Sequence, residues 1–583
     1  MNLENQVAMS IKPVLLSVAL LSGLCLFAQH NEEVTIEGTY RPKVNKVDKV
    51  LMQADAPQPT FEIPSSEVNI MEIQHRFPIQ LERISAQPLN AKGQKGLDQT
   101  KNFLMAGIGT RLSPVFLYKH NSMLTKTLAL GVGVQHYSTW LGIKDYAYSG
   151  MMNNAFDLGL SSSRFKNVQV TGKVFYKNDV VHDYGIRLSE WDGDEDSLAL
   201  LTPRQAYNTI GTHVDVASAS TRNRELSHQA AFDYHYLYSS FASSEHYVGL
   251  RYGLAYTNNW WGDKSHPQQL GADLAVQFDT YQSDPAAMYV EPAAVVRQKT
   301  ALVAFKPYLE MKDDYYRLHL GFGLDATGAA IDSSSKVTVR PDLRGSLFVL
   351  DKKVEFYAGL GGGRKLMTYS EVAGENPFVG NGLHLGLVNV KLGFEGGVRT
   401  NIMNTMDLHL GVRYRHTAND PFYLGQGRSF EDLYVDNLFE LCYDETRAVS
   451  VLANMHWLAL DKVTVDAGLA YNHYQMTLLD QPLYRPALEG KLNINYDLND
   501  QLSLHSAFLY QGGRYGRMES PLLAVPSTQL KPVLDLGIGA DYKVKDELTV
   551  FANIDNLLHQ KYLLYVNYPV TGIEFFAGVK MRF

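Results

Sequence analysis

GIEFFAGVKMRF (Gly572–Phe583) is the stretch whose reading decides the fold. Taken two by two, Ile573, Phe575, Ala577, Val579, Met581 and Phe583 fall on one side of a strand. Glu574, Phe576, Gly578, Lys580 and Arg582 fall on the other. One side is uncharged, the other carries both signs of charge, and the strand stops on an apolar aromatic. The same alternation recurs in segments of roughly ten residues from about Phe103 onward. Val354, Phe356, Ala358 and Leu360 alternate with Lys353, Glu355, Tyr357 and Gly359. Leu408, Leu410, Val412 and Tyr414 alternate with Asp407, His409, Gly411 and Arg413. Val388 to Glu395 and Lys491 to Tyr496 follow the same rule.

A soluble β-sandwich also alternates, so three further features are needed to separate the classes. Turns of two kinds take turns along the chain. VLDKKVEF, LALDKVTV, YDLNDQLSL and YKVKDELTV are tight, while the connections at 364–387, 417–446, 512–529 and 557–571 are long. Short turns at one rim and long loops at the other are the habit of outer-membrane barrels. Tyrosines stand at expected strand ends (Tyr414, Tyr471, Tyr496, Tyr542), where an amphipathic ring sits at headgroup level. A sheet in lipid must also close, because hydrocarbon offers no partner to an open edge. Hairpins beginning near 103, 126, 165, 227, 267, 313, 352, 405, 463, 501 and 547 give about 22 strands. The first is the least marked, so 20 is the other count. The expected fold is all-β, a transmembrane antiparallel β-barrel over 102–583 with both termini periplasmic.

The N-terminus reads as an address. Val14–Phe27 is apolar, preceded by Lys12 and followed by Ala28-Gln29. That run is too short for a membrane-crossing helix, which needs about 20 residues, and suits a signal peptide over 1–28 starting at Met1 or Met9. Cleavage there removes Cys25 and leaves Cys442, so no intrachain disulfide is expected. Residues 29–101 carry Pro42, Pro57, Pro59, Pro64, Pro78 and Pro88. Prolines at that spacing interrupt helices and central strands, which implies an extended periplasmic tail or reduced plug. The net charge of −8 offers no basic field for nucleic acid.

The last hundred residues resemble TonB-dependent receptors. The likeness rests on LKPVLDLGIGADYKV, VFANIDNLLHQKY and YPVTGIEFFAGVKMRF, with LYRPALEGKLNINYDLNDQLSL before them, and thins back to about 103. It implies an outer-membrane receptor or transporter for a solute, and makes Phe575, Val579, Met581 and Phe583 the signal read by the outer-membrane insertion machinery. It also implies a periplasmic energy-coupling partner. The segment VTIEGTY (Val34, Thr35, Ile36, Glu37, Gly38, Thr39, Tyr40) is similar to that family's partner-contacting stretch, which works by adding a strand to a sheet edge. The departure is the plug, for 29–101 is considerably shorter than the family's. The alternative is therefore a plugless scaffold barrel that docks partner proteins.

Few residues suggest chemistry. Trp191 is followed by Asp192, Asp194, Glu195 and Asp196, oxygen ligands dense enough to consider Ca²⁺ but without a glutamate closing the loop. A solvated loop is the simpler reading. GLGGGR (359–364) lacks the Lys-Ser/Thr ending of a phosphate loop and reads as a strand-to-loop transition. Trp260-Trp261 fit interface anchors, and His409 and His505 are expected in the lumen, solvated or paired. No cofactor is implied. No local motif joins Ser, His and Asp, so the chain is not expected to be an enzyme.

Overall fold

The computed structural model describes residues 101–583, apart from 166–167, 219–225, 262–266, 285–286, 288–294, 329–336, 351, 404, 431–432, 461 and 519–525. The expected signal peptide, the tail and Val34–Tyr40 lie outside the described residues. From Asn102 onward 22 strands form one sheet. Each pairs antiparallel with the next, and the last, Glu574–Arg582, pairs with the first, Asn102–Gly109. The sheet is a closed barrel, and the first hairpin is part of it.

The closing seam explains the final strand. Phe103 faces Arg582 and Gly107 faces Gly578. A Cβ on Gly578 would stand 2.2 Å from the Ala106 carbonyl oxygen, and one on Gly107 would stand 2.9 Å from the Phe551 ring. Only glycine lets the strands approach while Phe551 lies across the pair. Faces follow the alternation: Phe575, Met581 and Phe583 are exposed on the outside, while Glu574 and Phe576 are buried inside. Phe576 joins Met105, Val115, Leu117, Tyr137 and Phe551 in an apolar patch on the inner wall.

Outward alternation holds round the barrel, with Phe356, Phe394, Leu410, Val412, Val451 and Leu469 all exposed. Inward positions form polar pairs. Tyr357 Oη lies 2.6 Å from His409 Nε2, and Arg399 reaches Glu355 at 3.4 Å. His456 meets Asp466 at 2.6 Å, and Lys580 meets Asp541 at 2.7 Å. His505 faces Asn553 at 3.1 Å, so both expected lumen histidines are paired. Trp260 and Trp261 sit in the turn after Ser244–Asn258, at the rim that holds both chain ends, their backbone N–H groups given to Gln268 Oε1.

Three expectations need correction. The connection 417–446 is no loop: strands Met406–Phe430 and Leu433–Leu460 run on through it as one long hairpin. Bulges at Thr417/Asp420 and Gln426/Arg428 interrupt its pairing, and these breaks in period hid it from a two-residue pattern. Tyr414 consequently lies within a strand instead of at its end. Gly359–Arg364 also lies inside a strand, Val354–Leu366, with a bulge between Gly361 and Gly363. Finally, Glu195–Leu201 is a short helix, not open loop.

A closed sheet of this size resists detergent until heated. Unboiled protein should therefore migrate differently from boiled protein on electrophoresis. Identical mobility would contradict closure.

Candidate functional site

The rim opposite the chain ends carries the long connections, and there they fold together. Helix Tyr369–Glu375 begins from Thr368, whose Oγ1 accepts from the Glu371 N–H at 3.1 Å. This is half of a Thr-x-x-Glu capping arrangement. The remaining first-turn N–H groups find Glu245 of strand Ser244–Asn258: Tyr369 and Ser370 both donate to its carboxylate, which also meets His235 Nε2 at 2.8 Å. A buried carboxylate at a helix N-terminus satisfies orphan donors and opposes the helix dipole. The 367–386 connection is thereby fastened inside the mouth.

Its apolar side packs on inward residues of other strands. Tyr369 lies 5.0 Å, ring to ring, from Tyr281 and 6.1 Å from Tyr207. Phe378 stacks on Tyr568 at 3.7 Å, and Tyr184 meets both edge-on. The long hairpin leans in as well. The Gly380 N–H donates to the Phe439 carbonyl, and the Phe439 N–H donates to the Phe378 carbonyl. Phenolic hydroxyls tie these pieces to backbone carbonyls: Tyr207 to Pro377 at 2.9 Å, Tyr184 to Pro569 at 2.9 Å, Tyr565 to Glu375 at 3.0 Å and Tyr568 to Asn437 at 2.6 Å. Asn437 Nδ2 donates to the carbonyls of Leu201 and Asp183. Segments from the whole circumference thus make one apolar cluster across the far mouth. It is a lid.

At its centre Arg428 Nη2 meets Asp183 Oδ2 at 2.5 Å, with side chains 0% and 1% exposed. Among the described residues Arg428 Nε and Nη1 and Asp183 Oδ1 find no partner. Burial pushes the Asp183 carboxyl above its ordinary range, with Arg428 pulling it back down. The pair is buried but incompletely satisfied, which makes it costly to hold and costlier to break. Burial also pushes the Tyr369 and Tyr568 phenols up, so both stay neutral, and Tyr568 keeps the proton it donates to the Asn437 carbonyl.

The acidic run suggested by sequence lies at the lid's edge. Asp194 caps helix Glu195–Leu201, accepting from the Ser197 N–H at 2.7 Å, and its bonds to the Ser197 hydroxyl and N–H hold its carboxyl below the usual range. Asp192, Glu195 and Asp196 are not brought round a common point with it. Among the described residues no three His, Cys, Asp or Glu side chains are placed to hold a metal ion. Sequence reasoning missed Asp183, Glu245, Arg428 and Asn437. The one legible signal was Thr368-Tyr-Ser-Glu371, a helix start inside a supposed loop.

No family model matches this sequence, and no curated protein matches it. Solved structures do share its fold. The ferric-catecholate import receptor Fiu from Escherichia coli K12, in a closed form, superposes with a TM-score of 0.60 at 11% identity, covering 83% of this chain and 82% of that one. The siderophore receptor PirA from Acinetobacter baumannii gives 0.61 at 11% identity, over 83% and 80%. The ferric enterobactin receptor PfeA from Pseudomonas aeruginosa gives 0.59 at 12%, over 83% and 81%. The 22-stranded fold is that of outer-membrane receptor barrels, as the resemblance to TonB-dependent receptors implied.

Proposed function

We propose that this chain is an outer-membrane receptor that admits a solute through a lidded lumen, with the rim holding both chain ends in the periplasm. The observation carrying this reading is the packed lid across the far mouth. A barrel of 22 strands encloses a lumen too wide for wall side chains to fill. A general pore needs no aromatic cap fastened by a buried ion pair, whereas a receptor needs something that yields when its solute arrives. The solved proteins sharing the fold are named as a ferric-catecholate import receptor, a siderophore receptor and a ferric enterobactin receptor, which supports a receptor role at the level of architecture. Lys101, at which the expected tail 29–101 ends, stands at the rim that holds Asn102 and Phe583. We place the tail as a second barrier lying in the lumen, with Val34–Tyr40 free to add a strand to an energy-coupling partner.

Two barriers in series make a specific prediction. Deleting Asn31–Ala91 should leave single-channel conductance in planar bilayers low, because the lid still blocks the mouth. The same deletion combined with Arg428→Met should give a large open pore. If the deletion alone opens the pore fully, the lid is no barrier and the receptor reading fails. If the combined variant stays closed while proteins that co-purify with the intact chain are lost on deletion, the tail serves a scaffold instead.

A further inference from the structure

A run of hydrogen bonds crosses the outside of the barrel near the far rim. In register from strand to strand, His136 faces Asn154, Asn154 faces Asn178, Asn178 faces Asn208 and Asn208 faces Tyr238. Two residues nearer the barrel's middle, on the same face, stand Phe156, Tyr176 and Ile210, all exposed. The row is therefore where the lipid-facing wall changes from apolar to polar, at headgroup depth.

The direction of the bonds can be followed. Asn208 Oδ1 accepts from Tyr176 Oη at 2.9 Å and from Asn178 Nδ2 at 2.8 Å. Asn178 Oδ1 then accepts from Asn154 Nδ2 at 3.2 Å. Asn154 Oδ1 is left to face His136 Nδ1 at 2.7 Å, which puts the ring proton on Nδ1. His136 Nε2 therefore presents a lone pair to Ser138 Oγ at 3.2 Å, and the serine donates to it. Trp140 Nε1 donates to the same Oγ at 3.0 Å. Hydroxyl, base and orienting amide stand in the relation that nucleophilic catalysis requires, with an N–H donor beside the oxygen.

We propose that Ser138 and His136, positioned by Asn154, cleave acyl esters of amphiphiles lying in the membrane interface. Ser138 is 1% exposed beneath Trp140, itself 62% exposed just beyond strand Leu128–Thr139. Rotation of that indole uncovers Oγ and carries its N–H to the substrate's carbonyl oxygen. Oγ attacks the carbonyl carbon while its proton passes to His136 Nε2. The tetrahedral adduct collapses, the C–O bond to the alcohol breaks, and Nε2 returns the proton to the leaving oxygen. Water then attacks the acyl-serine with His136 again as base, releasing the carboxylic acid and restoring Ser138. This activity is independent of solute entry, since it lies on the outer wall. No local Ser-His-Asp motif marks it in the sequence, because the third member is an asparagine on the neighbouring strand.

The opposite rim supplies a control. Ser122 lies 2.8 Å from His120 Nε2, and His120 Nδ1 lies 2.8 Å from Asn102 Oδ1. Among the described residues no N–H donor reaches Ser122 Oγ, so this serine has a base but nothing to hold an oxyanion. The experiment treats the full chain in phospholipid vesicles with a long-chain alkyl fluorophosphonate and maps the adduct by mass spectrometry. Ser138 should be modified at least about a hundredfold faster than Ser122. His136→Ala should slow it roughly 10²–10⁴-fold. Trp140→Phe should slow it roughly 10²–10³-fold by removing the oxyanion donor. Asn154→Ala should shift the pH–rate profile and Asn154→Asp restore it. An unmodified Ser138, or one indifferent to His136→Ala, overturns the proposal. So does faster labelling in Trp140→Phe, which keeps an aromatic ring at an exposed position, for that would mean the indole merely covers a structural hydroxyl.

Discussion

Arg428→Met opens the lid. The substitution leaves Asp183 buried with its partner gone, and removing one member of a buried pair costs about 3–5 kcal/mol. The lid is the element able to yield, because the barrel strands beneath it are held by their own ladders. The two bonds that close it, Gly380 N–H to the Phe439 carbonyl and Phe439 N–H to the Phe378 carbonyl, are the place to measure. Their amides should exchange hydrogen roughly a hundred- to a few-thousand-fold faster than in the parent chain, while the amides of the lipid-facing band stay unchanged. The double change Asp183→Leu with Arg428→Met should reverse the effect. Apolar side chains suit a site where Arg428 Nε, Arg428 Nη1 and Asp183 Oδ1 go unsatisfied among the described residues. Unchanged exchange in the single variant would show that the aromatic packing alone closes the mouth.

The second large effect concerns the wall. Leu410 is 47% exposed on the outer face, between Val398 and Ala453 on its neighbouring strands. Leu410→Arg sets a guanidinium in hydrocarbon at a cost of roughly 2–4 kcal/mol near the midplane. Leu492→Arg should behave alike. Asn493→Arg, one residue away on the lumen side and opposite Asp466, should fold as well as the parent. Urea titration in vesicles, read by the heat-dependent mobility shift, compares the three. Equal midpoints for Leu492→Arg and Asn493→Arg would put the wrong face towards lipid.

Much of the barrel could be read from the chain because its determinants are local. Which residues of Gly572–Phe583 face lipid follows from a period of two, and a closed sheet follows from the absence of any other way to satisfy edge strands in hydrocarbon. The polar partners of His409 and His505 were legible in kind, as lumen pairs, though not in identity. The continuation of the long hairpin through 417–446 was not legible, since two bulges break the period on which its recognition depends.

Apart from the helix start at Thr368, the lid lay beyond sequence. Asp183 and Arg428 stand 245 residues apart, and Tyr184 and Pro569 stand 385 apart. Nothing in the neighbourhood of any of them marks the partner. The row His136–Asn154–Asn178–Asn208 is a similar case, four ordinary polar residues until strand register aligns them. Alternation fixes the face a side chain takes because each residue's direction is set by its own backbone. Which distant side chains meet on that face depends on register, bulges and the folding of connections. Those are decided only when the closed sheet brings its rims together.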